Sequence, residues 1–258
     1  MSFLDYFSDK ADLYAQARPR YPDALFQFIA AAAPDTASVW DCGTGNGQAA
    51  ISLAQYFRAV YASDPSGDQI AQAIPAPNVR YSTQPAEATT FAANQFDAVC
   101  VAQALHWFDL PRFFAELQRV TKPDALFIAW GYSWFTVSPD FDAACQRLIF
   151  DMIAPYWAPQ NQLLWQGYRD IQLPFAPLET PALSIEVSWN LYQLQAYVHT
   201  WSAVRHCMAR QGEDFFINAF VALAHWWGEP TASRLVTMPL HIIAGRKIIS
   251  SGPAPLSS

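Results

Sequence analysis

Charge, glycine and cysteine are all scarce in this sequence, and each shortage narrows what the chain can be. Only 14% of its 258 residues are charged, while 52% are hydrophobic. So apolar a chain is not intrinsically disordered and can build a sizeable core. Lys and Arg number 15 against 22 Asp and Glu, a formal net charge of -7. With no basic run, the chain lacks the footprint of a nucleic-acid binder or of a protein that clings to anionic membranes. No apolar run reaches the ~18 residues that a membrane span requires. The segment Met1 to Lys10 is polar and acidic and does not read as a secretory signal. The four cysteines, Cys42, Cys100, Cys145 and Cys207, are widely spaced with no C-x-x-C pair. They read as reduced, buried thiols, and the expected location is cytoplasmic. The five histidines (His106, His199, His206, His225, His241) show no H-x-x-E or H-E-x-x-H spacing, so no metal site is expected.

What is plentiful is bulky apolar side chain, and it comes in an ordered alternation. A helix is expected from Pro22 to Ala33, where Leu25, Phe26 and Ile29 share a face. Strand-like runs follow at Ser38 to Asp41, Ala59 to Asp64, Val79 to Ser82, Phe96 to Ala102 and Ala125 to Trp130. Helical patterns lie between them at Ala49 to Phe57, Asp68 to Ile74 and Pro111 to Val120. Near-continuous apolar strands alternating with helices mean a parallel sheet buried on both faces, an α/β fold of Rossmann-like type. This core is placed at about residues 35–132. Further on, Phe141 to Trp157, Leu191 to Cys207 and Glu213 to Trp227 read as helices. Ile185 to Trp189 reads as a strand, and Thr237 to Ala244 as a final one; Asn161 to Phe175 resists assignment. The expectation is a single domain over 1–258, with a helical cap inserted at about 133–182 and the sheet completed at about 183–258. The ten tryptophans and 18 phenylalanines fill a core or line a pocket.

The chemistry-bearing stretch is Asp41-Cys42-Gly43-Thr44-Gly45-Asn46-Gly47, between a strand and a helix. Glycines allow a sharp turn and close approach of a ligand. In an open α/β sheet, ligands bind beyond the carboxyl ends of the strands. The dinucleotide fingerprint G-x-G-x-x-G would need a glycine where Gln48 stands. A carboxylate two places before the first glycine is unwelcome to a pyrophosphate but suits an ammonium group, which tilts the reading toward an amino-acid-bearing nucleoside. Asp64, at the end of the second strand, can accept hydrogen bonds from both hydroxyls of a ribose. That suits an adenosyl ligand and NAD alike, so an NAD(P)-dependent oxidoreductase and a cofactor-binding protein without turnover stay open beside a transferase.

The run Val39 to Gly47, then Asp64, Ala86-Glu87 and Phe96-Asp97 through His106-Trp107, resembles the class I S-adenosylmethionine-dependent methyltransferases. More narrowly it is similar to the methyltransferase type 11 group that includes trans-aconitate methyltransferases. Tyr14, with Arg18-Pro19-Arg20-Tyr21-Pro22, and the segment Gln103 to Phe108 match that group's pattern. The resemblance covers about residues 6–132 well and the rest more loosely. It implies a seven-stranded, mostly parallel sheet whose last strand is antiparallel, with helices on both faces. It implies S-adenosyl-L-methionine as cofactor, S-adenosyl-L-homocysteine as product and a small-molecule acceptor, with a carboxylic acid among the candidates. It further implies that Gly43, Thr44 and Gly45 contact the methionine part through backbone, with Asp41 near the ammonium. Asp64 would hold the ribose, Ala86 and Glu87 the adenine, and Gln103 the space near the sulfonium. Tyr14, Arg18 and Tyr21 would close over the site. His106 is the one obvious base near that pocket, and base, substrate-positioning and packing roles are all open to it. Oligomeric state is not readable.

Overall fold

A computed structural model describes residues 19–248. Helix α1 spans Asp23–Ala32 and buries Leu25, Phe26 and Ile29, as the periodicity predicts. Strand β1, Ser38–Cys42, is buried throughout and runs into the glycine turn. Helix α2 (Gln48–Leu53) and strand β2 (Ala59–Asp64) follow. Helix α3, Gly67–Ala71, is capped by Ser66, whose hydroxyl accepts from the Gln69 amide. It ends earlier than predicted, well before Pro75. Strands β3 (Val79–Thr83) and β4 (Phe96–Ala102) come next. Helix α4, Leu110–Val120, starts at the Asp109 cap and buries Phe113, Leu117 and Val120. Strand β5, Thr121–Gly131, is longer than predicted at both ends. It absorbs the extra length through a register shift, with Phe96 opposite Thr121 but Ala98 opposite Leu126.

Beyond β5 the chain is more broken than its periodicity suggests. The single helix expected over Phe141 to Trp157 is a composite: α5 (Pro139–Cys145), a π-helical turn Gln146–Phe150, one α turn Asp151–Ile153 and a 3-10 turn Ala154–Tyr156. Pro155 lacks the N–H that an α-helix would need there. The stretch that resisted assignment holds a short helix α6, Asn161–Trp165, and is followed by strand β6, Ala176–Leu178. Strand β7, Ser184–Trp189, leads into α7, Leu191–His199, which opens with a capping box between Asn190 and Gln193. The helix expected to continue to Cys207 stops at Thr200, whose hydroxyl donates to the Tyr197 carbonyl, and restarts as α8, Ser202–Gln211. Helix α9 is Asp214–Trp227.

The last predicted strand is two. Strand β8, Arg234–Pro239, pairs with β7 in a two-stranded antiparallel sheet, and β9, His241–Arg246, enters the main sheet. One further backbone bond, from the Leu240 amide to the Leu183 carbonyl at 2.9 Å, closes that pair before the chain passes into the main sheet.

The main sheet has the order β3-β2-β1-β4-β5-β9-β6. Its first five strands are parallel, and β9 runs antiparallel to both β5 and β6. The expected seven-stranded, mostly parallel sheet with an antiparallel last strand is therefore present. By contacts the chain forms two compact units. Of the described residues, one comprises Tyr21–Tyr132, Gln162–Leu183 and 240–248; the other includes Ser133–Asn161 and Ser184–Pro239. In the sheet unit, Trp40, Phe96, Val99, Phe113, Leu117, Phe127 and Tyr168 belong to one buried cluster. In the second unit, Trp134, Phe150, Trp157 and Trp201 form a ring-on-ring cluster. Among the described residues, no helix is long and apolar enough to cross a membrane, and no group of His, Cys, Asp and Glu could hold a metal.

Candidate functional site

The strand order reverses between β1 and β4, and the glycine turn leaves the sheet there. Gly43 has φ +72, and a Cβ on it would lie 2.7 Å from the Ala104 Cβ. Gly47 has φ +90, and a Cβ there would collide with the Tyr81 hydroxyl. Both positions thus need glycine for conformation and for space. The turn is tied to β2, because the Gly43 and Thr44 amides both donate to the Ser63 carbonyl, at 2.8 and 2.9 Å.

Two acids flank the turn. Asp41 is fully buried. Its Oδ2 accepts from the Thr44 hydroxyl at 2.5 Å, and its Oδ1 has no hydrogen-bond partner among the described residues. Burial pushes its pKa up to about 6 and the Asp64 charge adds to the rise; the Thr44 hydroxyl pulls it down, as does the nearby Ala50 amide, which does not reach Oδ1 with hydrogen-bond geometry. Asp64 is half-buried. Its Oδ2 accepts from the Gly45 amide and its Oδ1 from the Ser66 amide, both at 2.9 Å. Each oxygen keeps a further lone pair.

Beyond β3 and β4 the picture is mixed. Ala86 is buried. Glu87 spends Oε1 on the Asp109 amide, 3.0 Å away, so part of its carboxylate holds the entrance to α4. Gln103 adopts φ +54, a left-handed conformation that is costly for a non-glycine residue. Its side-chain amide makes a paired contact with Tyr132: Nε2 donates to the carbonyl at 2.9 Å and Oε1 accepts from the amide at 3.1 Å. Gln103 therefore clamps the carboxyl ends of β4 and β5 together with both of its polar ends. Tyr21 packs edge-on against Trp130, Phe26 and Tyr132. Tyr14 and Arg18 lie outside the described residues.

His106, in a 3-10 turn just past β4, is buried, and desolvation lowers its pKa to about 4. Its Nδ1 lies 3.2 Å from the Tyr168 hydroxyl. No pattern in the sequence points to Tyr168. It follows Gly167, and the two occupy the left-handed region in succession, at φ +66 and +58. That turn brings Tyr168 back to a residue 62 positions away in the chain. Gly131 is the second addition: a Cβ there would meet Gln103 Oε1 and Leu164 Cδ1, both at 2.5 Å.

A seven-stranded sheet with one antiparallel strand, carrying an acid–glycine turn at its reversal point, defines a Rossmann-like methyltransferase fold. A family model described as a methyltransferase domain matches residues 40–129. A Dictyostelium discoideum protein designated a methyltransferase is 31% identical over 204 residues, 78% of each chain. A Saccharomyces cerevisiae protein designated an S-adenosylmethionine-dependent methyltransferase is 29% identical over half of this chain and 46% of its own length. The solved structure of a protein from Anaeromyxobacter dehalogenans, designated a type II methyltransferase, superposes with a TM-score of 0.84 at 42% identity, covering 90% of this chain and 98% of that one. The chain belongs to the class I S-adenosylmethionine-dependent methyltransferases. Its methyl donor is accordingly S-adenosylmethionine, which resolves the choice that Asp64 left open between an adenosyl ligand and NAD.

Proposed function

We propose that the chain methylates a small carboxylic acid, and that the acid–glycine turn holds the donor. One observation carries the reading: the buried, unpartnered Oδ1 of Asp41 beside the Gly43–Gly45 backbone. An orphaned acceptor inside a fold is costly unless a ligand completes it. The α-ammonium of S-adenosylmethionine supplies the missing donor and positive charge. Asp64 takes the ribose hydroxyls through its spare lone pairs. The Ala86 backbone and the free oxygen of Glu87 border the adenine. Gln103 acts indirectly, by keeping the ends of β4 and β5 in register around the reacting end.

When bound, the donor supplies an electrophilic methyl group on a sulfonium. The protein's own work is to orient the acceptor for in-line approach and to keep water away. The state of His106 bears on the acceptor. A general base works best with a pKa near the working pH, and an imidazole lowered to about 4 is a weak one. It is poorly suited to deprotonating an alcohol or phenol. A carboxylate arrives already ionised and needs only positioning, which favours an acid as acceptor.

The test pairs calorimetric titration of S-adenosylmethionine and S-adenosylhomocysteine with mass-spectrometric detection of methyl esters from an acid panel that includes trans-aconitate. Micromolar binding and esterification of at least one acid are expected. Transfer to phenols or alcohols alone would overturn the acid reading.

A further inference from the structure

The pair His106 and Tyr168 has only one arrangement in which the buried phenol proton finds an acceptor. Tyr168 is 1% exposed. Its hydroxyl has a single hydrogen-bonding neighbour among the described residues, the Nδ1 of His106 at 3.2 Å. If Nδ1 carried the proton and donated to the phenol oxygen, the phenolic O–H would be left inside the protein with no acceptor, a costly state. If the phenol donates to a bare Nδ1, the O–H and Nδ1 are both satisfied and only the ring's other nitrogen is left over, whereas the reverse arrangement leaves that nitrogen and the phenol proton both without a partner; a phenol O–H on an imidazole nitrogen also joins the better donor to the better acceptor. The imidazole then carries its proton on Nε2, the nitrogen that makes no hydrogen bond among the described residues.

We propose that Tyr168 is a positioning residue that fixes His106 as the Nε2–H tautomer, so that His106 presents a hydrogen-bond donor, and not a proton acceptor, to an oxygen of the methyl acceptor. The proposal rests on the acceptor reading above for what Nε2–H faces, but not for the tautomer itself. Two further facts agree with it. Burial keeps the imidazole neutral at physiological pH and pushes the Tyr168 hydroxyl upward, so the phenol keeps the proton it must donate. Tyr168, a non-glycine residue, carries a backbone cost in the left-handed region that placing this ring would justify, and Gly167 before it turns the chain there freely. Specificity follows: the acceptor carries an oxygen lone pair toward His106, as a carboxylate does, and no proton is drawn off by the imidazole.

The experiment is nitrogen-15 NMR of the histidine side chains in the full chain loaded with S-adenosylhomocysteine, with His106 assigned by its loss in His106→Gln. The expected wild-type signal is a neutral ring protonated at Nε2. In Tyr168→Phe, which keeps the ring volume, a mixture of tautomers is expected. A wild-type ring protonated at Nδ1, or a Tyr168→Phe spectrum unchanged from wild type, overturns the proposal. The kinetic arm uses whichever acid of the panel is esterified fastest. His106→Gln retains an N–H donor near the Nε2 position and should keep kcat/KM within about threefold of wild type; His106→Leu should lose about tenfold, mostly in KM, as befits one hydrogen bond. S-Adenosylhomocysteine affinity should stay within twofold throughout. Equal rates for the Gln and Leu variants overturn the donor role. If no acid is esterified at all, the acceptor reading fails, and the spectra still decide the tautomer.

Discussion

The two ends of the main sheet bury acids in opposite ways. At the amino end of β4, Asp97 is 2% exposed and saturated. It accepts from the Ser38 amide at 2.9 Å, the Ser38 hydroxyl at 3.0 Å and the Lys122 ammonium at 2.8 Å. Nearby, Glu116 meets Arg119 and Thr89; although burial pulls the other way, those hydrogen bonds hold its pKa down at about 2. At the carboxyl end of β1, Asp41 is equally buried but keeps an oxygen without a partner, and its pKa is pushed up. The first end spends its carboxylates on joining strands and helix. The second holds one in reserve, and such unsatisfied groups mark where a fold has been shaped around a ligand.

The largest effect expected from this contrast is at the saturated end. Asp97→Ala strands the Ser38 donors and half-exposed Lys122. It should cost about 3 kcal/mol, less than a fully buried pair because Lys122 reaches solvent. Thermal melting should fall by roughly 6–12 °C, with cofactor affinity unchanged at a temperature where the variant is folded. A stable Asp97→Ala variant would remove the contrast.

At the other end the sign reverses. The folded-state pKa of Asp41, about 6, lies above its ordinary value of 3.8. The native state therefore holds a proton that the unfolded chain has released between about pH 4 and 6, and stability falls as pH rises through that window. Asp41→Asn removes the charge, so it should stabilise the ligand-free protein by about 1–3 kcal/mol at pH 7–8. The gain should vanish near pH 4, as melting curves at both pH values would show. Asp64→Ala should weaken S-adenosylhomocysteine by about 1–3 kcal/mol in calorimetry, the usual cost of stranding buried donors. The smallest effect belongs to His106. Its folded-state pKa of about 4 lies below the ordinary 6.5, so its contribution is present above pH 6.5 and fades as pH drops toward 4. His106→Gln should lose about 1 kcal/mol less than wild type between about pH 7 and pH 5.7 in denaturant titrations.

How much of this could be read from residues alone depended on whether the signal was local. Strands β1, β2 and β4 are near-continuous apolar runs, and the two flanking acids sit at fixed distances from the glycine turn, so core and turn were readable. The division of Thr237 to Ala244 between two sheets was not, because apolar character runs from Met238 through Leu240 to Ile243 without a break at the change. The break at Thr200 was hidden for the same reason: the apolar period runs past a cap formed by one hydroxyl. Tyr168 was invisible because its role arises from a left-handed turn and a partner 62 residues away, neither of which leaves a periodic trace. The resemblance implies ligand-facing roles for Glu87 and Gln103, but much of their hydrogen-bonding capacity goes to the chain's own backbone.

The claim on which the rest depends is that Asp41 awaits an ammonium. Calorimetry with S-adenosylhomocysteine and with its analogue lacking the α-amino group, on wild type and Asp41→Asn, measures that pairing directly. Wild type should prefer the amine-bearing ligand by about 10- to 150-fold, as a charge-assisted hydrogen bond implies, and Asp41→Asn should lose most of that preference. An undiminished preference in Asp41→Asn would show that the amine is recognised elsewhere and that the orphaned oxygen serves some other end.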